Sequence, residues 1–100
     1  MEQNLRTEKR KLGALIAADY NPRKALTPDD AEYQKIKNSI LEFGYVDPII
    51  INEDGTIIGG HQRCTVLKDL GYTEVDVVVV SIDKQREKAL NIALNKITGE

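Results

Sequence analysis

The stretch from Ile57 to Gly71 constrains the fold of this chain more than any other. A short β-branched run, Ile57-Ile58, leads through Gly59-Gly60 into a helical pattern that stops at Gly71. The first turn of a helix leaves four backbone N–H groups without an intrahelical partner, at the positive end of its dipole. The stretch therefore predicts either a phosphate site or a plain strand-to-helix connection with polar residues on its surface.

The residues around this turn suit an anion. Without Cβ atoms, Gly59 and Gly60 would let a phosphate approach the backbone. Arg63 offers a planar fork of donors, and His61 can donate, accept or gain a charge near neutral pH. We accordingly expect Gly59, Gly60, His61, Gln62 and Arg63 to bind phosphate.

Length and composition fit one domain of a cytoplasmic protein. The chain has 100 residues, 41% apolar and 30% charged, with a single cysteine, Cys64. No apolar run is long enough to cross a membrane, and no secretory signal opens the chain. The net charge of −2 argues against non-specific DNA binding by this segment alone. We therefore expect any DNA contact to be made through other domains of a longer protein.

The N-terminal segment, before the first predicted helix, begins with residues that have no regular pattern. Residues 1–11 are polar and without periodicity, which predicts a flexible N-terminal arm. Residues 12–100 then form the domain, which we expect to be a fragment of a longer protein. Leu12 to Ala17 predicts a first strand, and the turn that follows presents Arg23 as a further phosphate ligand or as a solvated arginine.

The next segments have clearer patterns. Thr27 and Pro28 predict the start of a helix that runs over residues 29–43 and ends at Gly44. Its predicted apolar face consists of Tyr33, Ile36, Ile40 and Phe43. Two β-branched runs around Asp54-Gly55 predict a hairpin.

The last third of the chain is predicted to be a strand and a helix. The valine run over residues 75–82 indicates a central strand covered on both faces. Asp83 caps a helix over residues 84–97, in which Asn91 and Asn95 share one face, either solvated or in contact with a ligand or partner. Glu87 is expected on the helix surface. The resulting order predicts an α/β (α+β) domain, a compact mixed β-sheet with packed helices.

Taken in order and spacing, several motifs resemble the ParB/sulfiredoxin superfamily, specifically the ParB-like N-terminal (ParB-like nuclease) domain of phages and mobile elements. The resemblance covers about residues 15–97. Its motifs are Asn21-Pro22-Arg23, Phe43-Gly44-Tyr45, Asp47-Pro48-Ile49, Asp54-Gly55, Ile58 to Arg63, Gly71-Tyr72 and the valine strand.

The resemblance implies a site for CTP or ATP with Mg²⁺. Gly59, Gly60 and Arg63 match the family's Gly-Glu-Arg-Arg box, with His61 in place of the glutamate and Gln62 in place of the first arginine. Asn95 matches an asparagine that accompanies Mg²⁺ and nucleotide. The family's pocket-forming segment corresponds to Gly44, Tyr45, Val46, Asp47, Pro48 and Ile49.

Three functions are consistent with these residues. The first is a nucleotide- or phosphate-binding module of a DNA-associated protein, of the partition type or the mobile-element DNA-modification type. The second is a nuclease or phosphotransferase in which His61 is catalytic. The third is a protein-interaction scaffold that uses Tyr45, Tyr72 and the face of Asn91 and Asn95. A homodimer would suit any of them.

Overall fold

The valine run forms the inner strand of a mixed sheet. The computed structural model describes residues 5–20 and 27–98, with side chains as far as Leu94. Its elements are β1 (Leu5–Lys11), a 3-10 helix (Leu12–Ala14), α1 (Ala31–Phe43), β2 (Ile50–Asn52), β3 (Ile57–Gly59), α2 (His61–Asp69), β4 (Glu74–Val80) and α3 (Lys84–Thr98). The strand order is β1-β4-β2-β3, with β4 antiparallel to β1 and parallel to β2. The prediction of a mixed sheet with packed helices is confirmed.

One face of β4 supplies the core. Val75, Val77 and Val79 are almost completely buried against α1 and α2. The other face is only partly covered, since Val78 is half-buried and Asp76 is exposed. The prediction of a strand buried on both faces is therefore only partly correct. No helix in the described part of the chain is long and apolar enough to span a membrane.

The N-terminal segment is a strand where we predicted a flexible arm. Residues 5–11 pair along their whole length with β4, from Leu5 opposite Val80 to Lys11 opposite Glu74. The prediction of an arm over residues 1–11 is wrong for these residues, because the open edge of β4 needs backbone partners. An edge strand accepts polar side chains since they remain half-exposed to water.

The predicted first strand over residues 12–17 is also wrong. Leu12 to Ala14 form a 3-10 helix, and an isolated bridge joins Ile16 to Thr56. The side chain of Leu12 is 1% exposed, so the chain bends to bury it in the core.

Helix α1 begins later than its sequence suggested. Asp30 precedes the helix, and its side chain accepts a hydrogen bond from the backbone N–H of Thr27 at 2.8 Å. Thr27 and Pro28 thus form a turn before the helix. Gly44 ends α1 as predicted, with a φ of 82° that favours glycine. Phe43, predicted to face the core, is 65% exposed.

The hairpin and the last helix agree with their sequence patterns. β2 and β3 are antiparallel, and Asp83 accepts a hydrogen bond from the N–H of Arg86 at 2.8 Å, which caps α3. Asn91 is buried, and its side-chain amide donates to the carbonyl of Ile58 at 2.8 Å. Its place in the fold is therefore an internal link between α3 and β3, which our two alternatives for this face did not include.

Candidate functional site

The glycine pair turns the chain from β3 into α2. Gly60 adopts a φ of 99°, a left-handed conformation that other residues rarely tolerate. Its carbonyl accepts the N–H of Cys64 at 2.9 Å, which closes the first turn of the helix. The predicted stop at Gly71 is confirmed, and Cys64 is buried in the core.

Both glycines face other parts of the protein. A Cβ on Gly59 would lie 2.9 Å from Leu94, and a Cβ on Gly60 would lie 2.9 Å from the guanidinium of Arg63 and 3.2 Å from Ile49. Close packing thus explains the absence of side chains here, and the open backbone that we expected for a phosphate is not required to explain it.

Arg63 is a buried cation of the predicted site. The residue is 8% exposed, and its Nη1 lies 3.2 Å from the carboxylate of Asp47. Its Nη2 donates to the carbonyl of Pro48 at 3.3 Å. The side chain of Asp47 is itself 69% exposed. The guanidinium is consequently fixed by the protein while its carboxylate partner stands in water.

A cleft of about 190 Å³ opens beside Arg63, between the end of α1 and the segment before β2. Four residues of the predicted pocket segment line it, and α1 and α2 complete the walls. The lining residues are Lys35, Ile36, Ser39, Ile40, Gly44, Tyr45, Val46, Asp47 and Arg63. The cleft therefore combines two cations, two hydroxyl groups and one carboxylate with apolar side chains.

The end of the predicted pocket segment lies elsewhere. Pro48 contributes only its carbonyl to Arg63, and Ile49 is fully buried in the core. The N–H of Ile49 donates to the hydroxyl of Tyr45 at 2.8 Å, and this bond holds the tyrosine at the wall of the cleft. Burial raises the pKa of Tyr45.

His61 is half-buried at the first position of α2. Its Nε2 accepts a hydrogen bond from the backbone N–H of Ala18 at 3.3 Å, so the imidazole is neutral with its proton on Nδ1. Burial lowers the pKa of His61. The Nε2 atom, which would act as the base, already accepts this hydrogen bond. The catalytic role of His61 stays a prediction.

Gln62 lies on the inner side of the same turn. The residue is 6% exposed, and its side-chain oxygen has no hydrogen-bond partner within the described ranges 5–20 and 27–98. An amide oxygen left unpaired in the interior costs free energy. Two other predicted ligands cannot be placed: Arg23 and the side chain of Asn95 lie outside the described residues.

Sequence reasoning missed a buried carboxylate on α3. Glu87 is fully buried rather than on the helix surface, and it accepts hydrogen bonds from Tyr20 at 2.7 Å, Asn52 at 2.7 Å and Lys84 at 3.2 Å. Burial opposes ionisation, but these three donors outweigh it and lower the pKa of Glu87. The only available signal was Asn52, a poor strand former at the end of a β-branched run.

Lys84 extends the same cluster to the hairpin turn. Its ammonium donates to Asp54 at 2.8 Å and lowers the pKa of that carboxyl to about 2. Asp54 was explained from sequence as a turn residue, and the structure adds this link to α3. Among the side chains of the described residues, no three of His, Cys, Asp or Glu are grouped to hold a metal ion.

A family profile identifies the class of protein that this fold and cleft define. Residues 2–96 match the ParB N-terminal domain. The chain belongs to this family, which confirms the resemblance inferred from its motifs.

Three curated relatives are 32–35% identical to the chain. Uncharacterised protein ORF326b of Acidianus two-tailed virus is 35% identical over 80 residues, 75% of this chain and 24% of the viral protein. The ParB-like nuclease domain-containing protein YnaK of Escherichia coli K12 is 32% identical over 90 residues, 88% of this chain and all of YnaK. The probable chromosome-partitioning protein ParB of Campylobacter jejuni is 32% identical over 79 residues, 76% of this chain and 28% of that protein.

Solved structures share the fold. A pNOB8-like ParB N-domain superposes with a TM-score of 0.76 at 22% identity, over 99% of this chain and 39% of the other. C-terminally truncated ParB from Caulobacter crescentus, complexed with CTP-gamma-S, gives a TM-score of 0.72 at 19% identity, over 94% and 53%. The chain thus spans about a quarter of the viral and Campylobacter relatives, and activities of such longer proteins are proposals for it.

Proposed function

We propose that this domain binds a nucleoside triphosphate, with a phosphate at the first turn of α2 and the remainder of the ligand in the cleft beside Arg63. The observation that carries the proposal is a guanidinium fixed at the border of an open cleft by an exposed carboxylate. A charge-assisted hydrogen bond is strengthened where the surroundings are partly desolvated. Arg63 would therefore contribute more to binding than a surface arginine.

On this proposal, the carboxylate of Asp47 lies where an anionic oxygen of the ligand would bind Arg63. This carboxylate lies 3.2 Å from the Nη1 atom of the guanidinium. Because the side chain is exposed, it can rotate into water when a phosphate oxygen takes its place. The cleft adds Lys35 and Ser39 as further donors along α1. On this proposal, Asp47 competes with the ligand for Arg63.

Titration calorimetry with CTP, ATP and GTP, each with Mg²⁺, tests the proposal. CTP comes first, since the Caulobacter neighbour is described as a complex with CTP-gamma-S. Arg63→Gln should weaken binding by about 10- to 100-fold, the equivalent of one charge-assisted hydrogen bond. Arg86→Gln, an exposed arginine on α3, is the matched control and should leave the affinity unchanged.

A second variant tests whether Asp47 and the phosphate of the ligand compete for Arg63. Asp47→Asn removes the competing charge, so it should bind nucleotide several-fold more tightly than the parent domain. Equal loss of affinity in Asp47→Asn and Arg63→Gln would mean that the pair is only a structural link. No heat with any of the three nucleotides at millimolar concentration would overturn the proposal.

The wider role proposed is that of a module in a DNA-associated protein, of the partition type or the mobile-element type. It is supported by family membership and by the Campylobacter relative's name. Duplex DNA would be contacted through other parts of the longer chain, and the assembled protein would be a homodimer. Sedimentation of the longer protein with and without nucleotide tests the dimer.

A second candidate function is that of a nuclease or phosphotransferase. It is favoured by the name of the Escherichia coli relative, a ParB-like nuclease domain-containing protein. This function requires that the hydrogen bond from the N–H of Ala18 to the Nε2 of His61 breaks, so that Nε2 can accept a proton from water or substrate. Nicking of supercoiled plasmid that persists unchanged in His61→Ala would exclude this role for the histidine.

A further inference from the structure

We propose that a second groove, at the far end of α2 from Arg63, binds single-stranded nucleic acid. This groove is a shallow, open depression of the surface, and its lining consists of Lys11, the 3-10 helix, Lys68, Tyr72 and Thr73. It lies where β1 ends, the chain bends, and α2 gives way to β4. We call it the Lys11–Lys68 groove.

The two lysines of the groove form no ion pair with a described side chain, although the exposed Glu74 lies opposite Lys11 in the strand register. Three other basic residues of β1 each have a carboxylate partner: Arg6 with Glu53, Lys9 with Asp76 and Arg10 with Glu8. Lys11, on the same strand, forms no ion pair within the described ranges, and neither does Lys68. Both side chains are exposed, and no carboxylate lines the groove.

The end of α2 does not repel an anion as an open helix terminus would. The N–H of Gly71 donates to Lys68 at 3.0 Å, and the N–H of Tyr72 donates to Leu67 at 3.0 Å. These bonds satisfy the last carbonyls of the helix in a Schellman arrangement. Lys68 in the last turn offsets the remaining negative end of the dipole.

Tyr72 distinguishes a nucleic acid from other anions. The residue is 37% exposed although it is large and mostly apolar, and it lines the same groove as both lysines. An exposed ring in the same groove as two cations offers a face for base stacking and charges for phosphates, which is how proteins hold single strands without reading sequence. An acidic peptide would use the lysines and leave the ring unused.

Nuclear magnetic resonance titration of the labelled domain with a thymidine hexanucleotide without terminal phosphates tests the groove. We expect saturable shifts at the amides of Gly13, Tyr72 and Thr73. Tyr72→Ala should weaken binding at least five-fold, whereas Tyr72→Phe, which keeps the ring, should stay within two-fold of the parent domain. Lys11→Gln and Lys68→Gln should each reduce the slope of log affinity against log salt by about 0.7.

Two controls separate this groove from other sites. Lys37→Gln, a lysine on α1 outside the groove, should leave affinity and salt slope unchanged. Arg63→Gln should retain the shifts at the groove, since the nucleotide cleft is a separate site. No saturable shifts, unchanged affinity in Tyr72→Ala, or equal affinity for a hexaglutamate peptide or duplex DNA would each overturn the assignment.

Discussion

At the residue scale, Gly60 and His61 at the start of α2 make contacts whose contribution to the stability of the domain can be measured. Gly60 combines a left-handed backbone with a contact to Arg63 and Ile49. His61 holds the segment before residue 20 through the N–H of Ala18. Each position can be tested without knowing the ligand.

Gly60→Ala should destabilise the domain by about 2–4 kcal/mol in urea unfolding. A left-handed alanine costs about 1 kcal/mol or more, and a Cβ 2.9 Å from the Arg63 guanidinium forces that side chain to move. Gly71→Ala is the matched control, since its φ is 94° but no atom lies within 4 Å of the added Cβ. Equal losses in the two variants would show that the contact with Arg63 is unimportant.

The single histidine makes stability depend on pH. Burial lowers the pKa of His61 below its usual 6.5, so the unfolded chain binds a proton first as the pH falls. This contribution is complete above pH 6.5 and is lost as the pH falls through the lowered value. Denaturant midpoints between pH 5 and 8 should decline toward pH 5, and His61→Gln should flatten the decline. An unchanged slope would assign the dependence to other groups.

At the scale of elements, the fold depends on side chains that join helix α3 to the sheet and on the backbone pairing of β1 with β4. Glu87 gathers donors from the loop before α1, from β2 and from α3 itself. β1 covers the edge of β4 with seven residues. Both contacts link segments far apart in sequence.

Glu87→Gln should reduce the free energy of unfolding by about 2 kcal/mol at pH 7. The substitution keeps the shape but removes a buried charge whose hydrogen bonds to Tyr20 and Lys84 are each strengthened by it. Glu42→Gln, on the exposed face of α1, is the control and should cost less than 0.5 kcal/mol. Equal midpoints for the two variants in urea would contradict a stabilising role for this carboxylate.

Deletion of residues 1–11 should abolish cooperative folding or lower the melting temperature by more than about 10 °C. It removes the whole of β1 and uncovers the backbone of β4 beside the core valines. Circular dichroism melting of the truncated and complete chains measures the difference. A melting temperature within about 2 °C of the parent would restore the flexible arm that the sequence suggested.

At the scale of the whole molecule, binding and stability are linked. A ligand that binds only the folded domain adds RT ln(1 + [L]/Kd), about 2.7 kcal/mol at 100 times Kd. The nucleotide that binds in calorimetry should therefore raise the melting temperature of the parent domain and of Arg86→Gln by the same amount. The shift should be much smaller in Arg63→Gln. A shift that survives in that variant would place the ligand elsewhere.

The sequence by itself determined those elements whose pattern is local. The turn at Asp54-Gly55, the stops at Gly44 and Gly71, and the valine strand all follow from backbone preferences of a few neighbouring residues. Motif spacing also led to the correct family, because the glycines and Arg63 lie within one short stretch.

Only the tertiary structure decided which polar residues are inside. The polar strand β1 has no local signal, since the free edge of β4 that recruits it lies more than sixty residues away. Glu87 looks like any exposed helix residue until Tyr20, Asn52 and Lys84 surround it. Burial of a charge depends on partners that are distant in sequence, and for the same reason the pairing of Arg63 with Asp47 could not be derived from the motif that contains it.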